Sequence, residues 1–291
     1  MLSLAIGTVM AVDPDELSLL AFLTYVAAGG GLTPLLAIEG GAQEQLFVDG
    51  ADSIALAMAA ELGERVVLDA PVRTLDQRGH DVVVTSDRLT VSARAAIIAL
   101  PTPLAARLDY QPPLHADRDL LAQRSSMGSV HKALAVYDEP WWRADGLSGE
   151  VLSLTQPVST AFDATKPDGP GVLATLTTGR RARALARLEP ANRVAAVTSS
   201  LCAFFGDRAA TPIRVVERSW VDEPWSRGGY AAVLPPGAIT SFRDALSRPV
   251  GRLHWAGTET ATRWMGYMEG AVLAGERAAA EVIAAQETSV G

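Results

Sequence analysis

The clearest candidate for binding chemistry lies near the C-terminus of the sequence. An apolar run from Leu253 to Ala256 leads into the turn Gly-Thr-Glu-Thr, and a long helix is predicted to begin near Gly266. Small residues keep the first turns of this helix slim: Gly266, Gly270, Ala271, Ala274 and Gly275. A helix N-terminus carries unpaired N–H groups and partial positive charge, so it would suit an anionic group that approaches closely. Tight packing of the helix on the rest of the protein explains the glycines equally well.

A second candidate is a lysine within a predicted strand. Lys132 stands in the run HKALAVY, which predicts a strand over His131 to Tyr137, and its neighbours are mostly apolar. Of the 25 basic residues, only Lys132 and Lys166 are lysines. An isolated lysine in a strand is normally on a solvated face. The apolar neighbours and the rarity of lysine in this chain nevertheless favour a functional role for Lys132.

Other chemistries are poorly supported. The histidines do not stand at metal-ligand spacing with cysteine or carboxylate residues, so no metal site is predicted: His80, His115, His131 and His254. The one glycine-rich match, Gly169 to Ala174, follows a turn and precedes a predicted strand, which is the reverse of the dinucleotide-binding context. The single cysteine, Cys202, excludes an internal disulfide framework and is expected to be a buried, inert thiol.

Length and charge limit the classes of protein further. The 291 residues are 48% hydrophobic, which is enough for two domains with a sizeable core. The net charge of -8 argues against nucleic acid or an anionic membrane surface as a partner. The uncharged stretch Leu17 to Ile38 contains three glycines and a proline, so it fits a buried helix and a turn better than a membrane span. With no signal peptide evident, a cytoplasmic location is expected.

The predicted elements form a mixed α+β pattern. Helices are expected at Leu17 to Ala28, Asp52 to Leu62, Pro190 to Phe205 and Tyr267 to Ala285. Five short β-rich runs lie between Val66 and Leu100: VVL, VRTLD, DVVVTS, LTVSA and AAIIAL. Further strands are predicted at His131 to Tyr137, Ile213 to Trp220 and Leu253 to Ala256, and over Leu154 to Gly179 with an interruption at KPDGPG.

The C-terminal segment TETATRWMGYMEGAVLAGERAA resembles the signature of flavin-containing monoamine oxidases. Four other segments resemble the same family in the same order: EGGAQEQLFVDG, GERVVLDAPVRTL, SMGSVHKALAVYDEPWWR and WSRGGYAAVLPPG. The resemblance extends from about Asp13 to Ile283. It implies an incomplete FAD-binding, Rossmann-like domain and a substrate domain with a mixed β-sheet and helices. The implied division assigns 1–34 and 113–222 to the substrate domain, and 35–112 and 223–291 to the FAD domain.

The resemblance implies roles for individual residues in cofactor binding. Glu259 matches the family's acidic contact to the ribityl-phosphate region of FAD. Tyr267 and Met268 match the start of the helix beside the flavin ring, and Val72 matches a position whose backbone meets the adenine. The family's covalent attachment uses a cysteine where this chain has Gly229, so any FAD is expected to be bound non-covalently.

Three matched positions concern the reaction itself. Lys132 matches the lysine that is linked through a water to flavin N5. Tyr230 and Tyr267 match two facing aromatic residues that sandwich the substrate amine, and the glycines beside both tyrosines favour close approach to a ligand over simple core packing. The resemblance thus implies oxidative deamination of an amine by O2 with release of ammonia and hydrogen peroxide.

The family's strand–G-x-G-x-x-G–helix unit, which binds the FAD pyrophosphate, has no match in this sequence. We therefore expect activity to need an N-terminal nucleotide-binding half. The expected protein partner is that half or, alternatively, further copies of the chain in a homo-oligomer. An L-amino-acid oxidase is an alternative, for which Arg227 and Arg263 are weak candidates to bind the substrate carboxylate. A third possibility is a non-catalytic remnant or one subunit of a split oxidase. An upstream reading frame that encodes the glycine-rich motif would distinguish a split enzyme from a remnant.

Overall fold

The computed structural model describes residues 2–37, 40–42, 44–45 and 47–288. The helices are α1 (Leu2–Met10), α2 (Leu19–Ala28), α3 (Leu32–Leu36), α4 (Asp52–Leu62), α5 (Thr102–Ala105), α6 (Ala116–Arg124), α7 (Trp141–Ala144), α8 (Gly179–Ala186), α9 (Pro190–Phe205), α10 (Ala238–Phe242) and α11 (Met268–Thr288). Short 3-10 helices are Pro14–Glu16, Gly63–Arg65, Asp207–Ala210, Arg243–Leu246 and Thr258–Thr260.

The strands are β1 (Val72–Asp76), β2 (Val82–Ser86), β3 (Thr90–Ala93), β4 (Ala96–Ile98), β5 (Asp109–Gln111), β6 (Ser126–Met127), β7 (Val130–Tyr137), β8 (Val151–Leu152), β9 (Thr160–Asp163), β10 (Gly171–Thr178), β11 (Arg214–Ser219), β12 (Ala232–Val233) and β13 (Leu253–Trp255). The chain divides into two compact units. The first comprises Met1–Leu17 and Ser126–Val233, and the second comprises Ser18–Ser125 and Leu234–Gly291.

The first unit is built on a five-stranded antiparallel sheet with strand order β11-β7-β10-β9-β8. Alternate residues of β7 point to opposite faces of this sheet, so Ala133, Ala135 and Tyr137 are buried while Lys132 is exposed. The buried face packs against α9 and forms one core with Trp142 and Leu201. Lys132 therefore lies on the face of β7 opposite this core.

Asp163, at the end of β9, ties the sheet of the first unit to α7. Its carboxylate accepts hydrogen bonds from Trp142 Nε1 at 2.9 Å, Arg143 Nε at 2.6 Å and Thr165 N at 2.9 Å. Partial burial opposes ionisation of this carboxyl, but the hydrogen bonds from Arg143, Thr165 and Trp142 outweigh it and lower the pKa of Asp163 to about 2.

This low pKa predicts a loss of stability in acid. The pKa of Asp163 is lower in the folded chain than in the unfolded chain, so the ionised group contributes about 2 kcal/mol at pH values above the unfolded pKa. That contribution should disappear as the pH falls from about 4 to about 2. Chemical unfolding followed by circular dichroism should show a steeper loss of stability over this pH range for the wild type than for Asp163→Asn. The exposed turn residue Asp168 provides the control, because Asp168→Asn should keep the wild-type slope. Equal slopes in all three proteins would contradict the assignment.

The described residues of the second unit form two sheets. One has strand order β3-β2-β1-β5, in which only the β1–β5 pair is parallel. The other pairs β4 with β13 in parallel, with Leu253 opposite Ala96 and Trp255 opposite Ile98. Leu75 of the first sheet and Leu253 and Trp255 of the second belong to one core.

The predicted α+β class is confirmed. Helices α4 and α9 have the predicted bounds, and four of the five β-rich runs between Val66 and Leu100 form strands. The run Val66 to Leu68 forms no strand, because a 3-10 turn at Gly63–Arg65 precedes it and Val67 and Leu68 lie exposed without a pairing partner in a sheet. The polar stretch from Leu104 to Leu121, for which no element was predicted, contains β5 and most of α6.

The segment from Leu17 to Gly50 is described only in part. Leu19–Ala28 forms α2, and glycines separate it from α3, while Ile38 at the end of the predicted stretch lies outside the described residues. Glu39, Gln43 and Leu46 of the segment EGGAQEQLFVDG also lie outside them. Within the described ranges, none of the helices combines the length and apolar character that spanning a membrane requires.

Candidate functional site

Two of the family-like segments meet in the first unit, where Tyr230 lies in a loop beside the start of β7. Residues Ser126–Met127 pair with Ala232–Val233, and Gly229 N donates a hydrogen bond to Gly128 O at 2.9 Å. A Cβ on Gly128 would lie 2.1 Å from Gly229 O, so only glycine allows this approach of the two backbones. The glycines thus bring the loop of Tyr230 to the strand that carries Lys132.

Lys132 is exposed on β7, opposite Leu176 of β10 on one side and Arg218 of β11 on the other. The neighbouring cation, Arg218, forms an ion pair with Glu223. Ala133 and Ala135 face the core on the opposite side of the sheet. Val130 and Leu134, two residues to either side of Lys132, share its face because side chains alternate along a strand. The lysine is therefore exposed on a face that also carries apolar side chains.

Tyr230 has 48% of its surface exposed. The protein atoms around the phenol nevertheless desolvate it, which raises the pKa of Tyr230 to about 12. The preceding residues Arg227 and Gly228 have φ of 51° and 139°, so the loop makes a sharp turn before Tyr230. The result is a partly exposed aromatic ring that stays uncharged at neutral pH.

Glu259 lies in the second unit where the two parallel strands β4 and β13 end. Parallel strands place their carboxyl ends at one edge, and such edges are common ligand sites. Glu259 lies in the 3-10 helix Thr258–Thr260, and its side chain is buried. The side chain turns back toward Gly257, since a Cβ on that glycine would lie 3.3 Å from Glu259 Oε2. The segment after β13 therefore presents a buried carboxylate at the edge where ligands bind in related topologies.

Arg277 of α11 anchors the segment that carries Glu259. Its Nη2 donates hydrogen bonds to Trp255 O at 2.6 Å and to Thr260 Oγ1 at 3.0 Å. Its Nη1 pairs with Glu281, which also contacts the buried His254 at 3.1 Å. Helix α11 is thereby fixed to His254 and Trp255 of β13 and to the turn that follows this strand.

Arg118 was not predicted from the sequence; it is buried and packs on the ring of Trp255 in β13. Arg118 Nη1 donates to Ala245 O at 2.6 Å and to Leu246 O at 2.8 Å, and its guanidinium carbon lies 3.7 Å from the centroid of the Trp255 ring. Burial lowers the pKa of Arg118 to about 10, so the group stays charged at neutral pH and interacts electrostatically with Glu259. The sequence does contain a signal, because positions 118, 121 and 122 share one buried face of α6.

Tyr267 and Met268 stand at the start of α11. Tyr267 is half-buried and Met268 is 47% exposed. The glycines near them are accounted for by the protein itself: a Cβ on Gly266 would lie 2.9 Å from the ring of Tyr25, and one on Gly270 would lie 2.2 Å from Trp264 O. Tight packing therefore explains both glycines without a ligand.

Val72 opens β1 in the second unit. It pairs with Ser86 of β2 and packs partly against the core of that unit. Glu259, Tyr267, Met268 and Val72 thus belong to the second unit, whereas Lys132 and Tyr230 belong to the first. Cys202 is half-buried in α9, somewhat more accessible than predicted. The described part of the chain contains no group of three His, Cys, Asp or Glu side chains that could hold a metal ion.

Comparison with known proteins gives consistent results. The family model "Flavin containing amine oxidoreductase" matches residues 8–283. A putative flavin-containing monoamine oxidase, AofH, from Mycobacterium tuberculosis is 41% identical over 273 residues, which are 94% of this chain and 60% of that protein. An L-amino acid dehydrogenase from Synechocystis is 39% identical over 281 residues, which are 96% of this chain and 58% of that protein.

Solved structures agree with these relatives. Cyclohexylamine oxidase from Brevibacterium oxydans superimposes with a TM-score of 0.91 at 32% identity, covering 98% of this chain and 64% of that one. Putrescine oxidase bound to putrescine superimposes with a TM-score of 0.87 at 31% identity, with 97% and 64% covered. The chain thus spans about three-fifths of the length of these proteins. With the family model matched over nearly all of its residues, this chain belongs to the flavin-containing amine oxidoreductase family.

Proposed function

We propose that this chain supplies the amine-binding and part of the FAD-binding machinery of an oxidase that deaminates an amine to an imine and then an aldehyde. The observation that carries the proposal is the buried carboxylate of Glu259 at the ends of β4 and β13, in a chain of this family. A carboxylate in this place can accept hydrogen bonds from hydroxyl groups of a ribityl chain. The hydrogen-bond acceptor at this site therefore fits the ribityl hydroxyl groups of the flavin cofactor that the family implies.

Four residues of the second unit would hold FAD. Glu259 would contact the ribityl-phosphate region, Tyr267 and Met268 would lie beside the flavin ring, and the backbone of Val72 would meet the adenine. Met268 is exposed at the start of α11, so an apolar surface is open to a flat ring there. Binding would be non-covalent, because Gly229 offers no nucleophile.

By the family resemblance, Tyr230 and Tyr267 would each offer an aromatic ring to the substrate amine. Both rings can orient an amine through their π-faces. When bound, FAD supplies a two-electron acceptor for the α-C–H hydrogen and electron pair, which then pass to O2 to give hydrogen peroxide. The chain's own residues contribute orientation of the amine and exclusion of water, and the imine hydrolyses afterwards to aldehyde and ammonia.

Lys132 would assist the step that consumes O2. We expect Lys132→Met, in the flavin-loaded assembly, to slow reoxidation of the flavin by about 10-fold or more and to change its reduction by amine much less. Stopped-flow absorbance separates the two half-reactions. Lys166, the chain's other lysine, lies in a turn of the first unit and provides the matched control, because Lys166→Met should leave both rates unchanged. Reoxidation at the wild-type rate in Lys132→Met would remove this role.

Activity would require a nucleotide-binding half in addition to these 291 residues. Two features support this requirement. Helix α4 has no buried residue and exposes Ile54, Leu56, Met58 and Leu62. Within the described residues, β4 and β13 form a parallel sheet of two strands. Parallel sheets are normally larger and covered on both faces. An upstream segment of the same gene or a separate subunit could provide this half, whereas a second copy of the chain could only cover the exposed apolar surface.

The L-amino-acid oxidase alternative receives weight from the Synechocystis relative. It requires a cation for the substrate carboxylate, and both candidates, Arg227 and Arg263, are exposed. The third possibility is that this chain has no nucleotide-binding partner and is a non-catalytic remnant of an oxidase.

The deciding experiment is co-expression with an N-terminal half that carries the G-x-G-x-x-G unit, followed by assays with two substrate panels. The proposal expects simple amines to bleach the flavin anaerobically and to release peroxide in air, whereas carboxylate-bearing L-amino acids remain inactive. Acid precipitation should leave the yellow colour in the supernatant. Activity with L-amino acids alone would establish the alternative, and a flavin-loaded complex inert to both panels would support the remnant.

A further inference from the structure

Two aromatic rings of the second unit contact the ring of Tyr267. The Tyr25 ring, from α2, stacks on it with a centroid distance of 6.2 Å and an angle of 22° between the planes. The Trp264 ring stands nearly perpendicular to it, at 78° and 5.4 Å. Offset stacking and edge-to-face contact are the two favoured arrangements of aromatic pairs. Both the plane and the rotation of the Tyr267 ring are therefore constrained within this unit.

The backbone holds Trp264 in an unusual conformation. Its φ is +49°, a region that bulky residues rarely occupy. Trp264 N donates to Ala28 O at 2.9 Å, at the end of the helix that carries Tyr25, and Trp264 O accepts from Tyr267 N at 3.0 Å. The same carbonyl oxygen lies against Gly270 of α11, where a Cβ would clash with it. A rare conformation that is fixed by three surrounding contacts indicates that the position of this ring matters.

Thr258 connects the Tyr267 segment to the turn of Glu259. Its Oγ1 accepts a hydrogen bond from Gly266 N at 2.7 Å and donates one to Tyr267 O at 2.9 Å. A Cβ on Gly270 would lie 2.8 Å from this oxygen, so glycine is needed at that position to leave room for it. The backbone of Tyr267 is thus fixed to the residue immediately before Glu259.

We propose that Tyr25 and Trp264 are positioning residues that hold the ring of Tyr267 in one plane for contact with the amine. The inference rests on the proposed function, because it gives a role to the ring that would face the substrate. Tyr25 covers part of one face of the Tyr267 ring, so the amine contacts the other face. A ring that rotates freely would present its edge to the amine as often as its face. The amine would then be held in the reacting orientation for a smaller fraction of the time.

The test combines a measurement of ring motion with kinetics, both on the full chain co-expressed with a nucleotide-binding half. Trp264→Asn removes the ring and keeps a residue that accepts positive φ, whereas Tyr25→Leu removes the stacking ring and Tyr25→Phe keeps it. Chains labelled with 3-fluorotyrosine give 19F signals, and the Tyr267→Phe variant identifies the signal of residue 267. A 180° flip keeps the plane of the ring but exchanges the two positions of the fluorine. In the wild type and Tyr25→Phe, slow flipping should give two resolved 19F signals for residue 267. In Tyr25→Leu and Trp264→Asn, fast flipping should give a single averaged signal.

The kinetic part uses the flavin-loaded assembly. We expect kcat for the amine to fall about 10-fold in Tyr25→Leu and Trp264→Asn, with flavin content and KM within twofold of the wild type, and to stay within twofold in Tyr25→Phe. If the two residues had only a structural role, their removal would lower the flavin content or unfold the chain, and kcat per bound flavin would not fall selectively. Circular dichroism detects the unfolding. An unchanged 19F signal in both ring-removing variants, or averaging without a change in kcat, would overturn the proposal. If the wild-type assembly turns over no amine, the proposed function fails, while the 19F spectra still show whether the two rings hold Tyr267.

Discussion

The purified 291-residue chain is expected to be colourless and to bind FAD several orders of magnitude more weakly than a complete member of its family. In this type of fold the pyrophosphate is held by N–H groups of a glycine loop at a helix N-terminus. The sequence has no such loop. Each charge-assisted hydrogen bond that is lost costs about 1.5–3 kcal/mol, so the loss of two or three accounts for the expected weakening.

The residues that remain would contact other parts of the cofactor. Glu259 would bind the ribityl region, Val72 the adenine, and Tyr267 and Met268 the ring, and none of these contacts replaces the pyrophosphate site. Titration of the lone chain with FAD, followed by flavin fluorescence, should therefore show no saturation in the micromolar range. Saturation at micromolar or lower FAD, or release of peroxide from an amine by the lone chain, would contradict this prediction.

The exposed apolar side chains of α4 add a second expectation for the lone chain. Leu56 and Met58 are 63% and 57% exposed, and Val48 before the helix is 83% exposed. Apolar surface of this kind favours aggregation unless a partner covers it. Co-expression with a nucleotide-binding half should restore both yellow colour and solubility. In that complex, Leu56→Glu should weaken co-purification, whereas Leu152→Glu, at an exposed strand position of the first unit, serves as the matched control.

Local sequence signals predicted much of the fold. The bounds of α4 and α9 follow from a glycine after each helix and, in α9, from Pro190 at its first position, where the missing N–H costs nothing. The strand at Val66 to Leu68 was a wrong prediction, since a run of three apolar residues carries no information about whether a neighbouring strand is available.

The candidate site was only partly predictable for the same reason. Lys132 and Glu259 could be identified from motifs, but their surroundings depend on contacts distant in the sequence. The apolar neighbours of Lys132 are divided between the two faces of β7, with Ala133 and Ala135 in the core and Leu134 on the side of the lysine, as the two-residue period of a strand indicates. The contact of Tyr25 with Tyr267 joins residues 242 positions apart, as the numbering shows, and no local pattern predicts it.

The second large effect is expected at the two tyrosines that we propose to contact the amine. Tyr230→Ala and Tyr267→Ala should each lower kcat/KM of the flavin-loaded assembly by about 10- to 100-fold, or roughly 1.4–2.7 kcal/mol of transition-state stabilisation. The aromatic face is the feature that matters, so Tyr230→Phe and Tyr267→Phe should retain most of the activity. The pKa of Tyr230 near 12 leads to the same expectation, because its hydroxyl stays protonated at working pH.

The two alanine variants should differ in their effect on stability. Tyr230 is 48% exposed, so its removal should change the unfolding free energy little, whereas Tyr267→Ala loses ring contacts with Tyr25 and Trp264. Those two contacts predict a stability loss of about 1–3 kcal/mol for Tyr267→Ala, at about 0.5–1.5 kcal/mol per aromatic pair. Denaturant unfolding and steady-state kinetics on the same samples separate the two effects. Wild-type turnover in both alanine variants would exclude the aromatic pair as the amine site, whereas a loss confined to Tyr267→Ala that follows its stability would assign that ring to the core of the second unit.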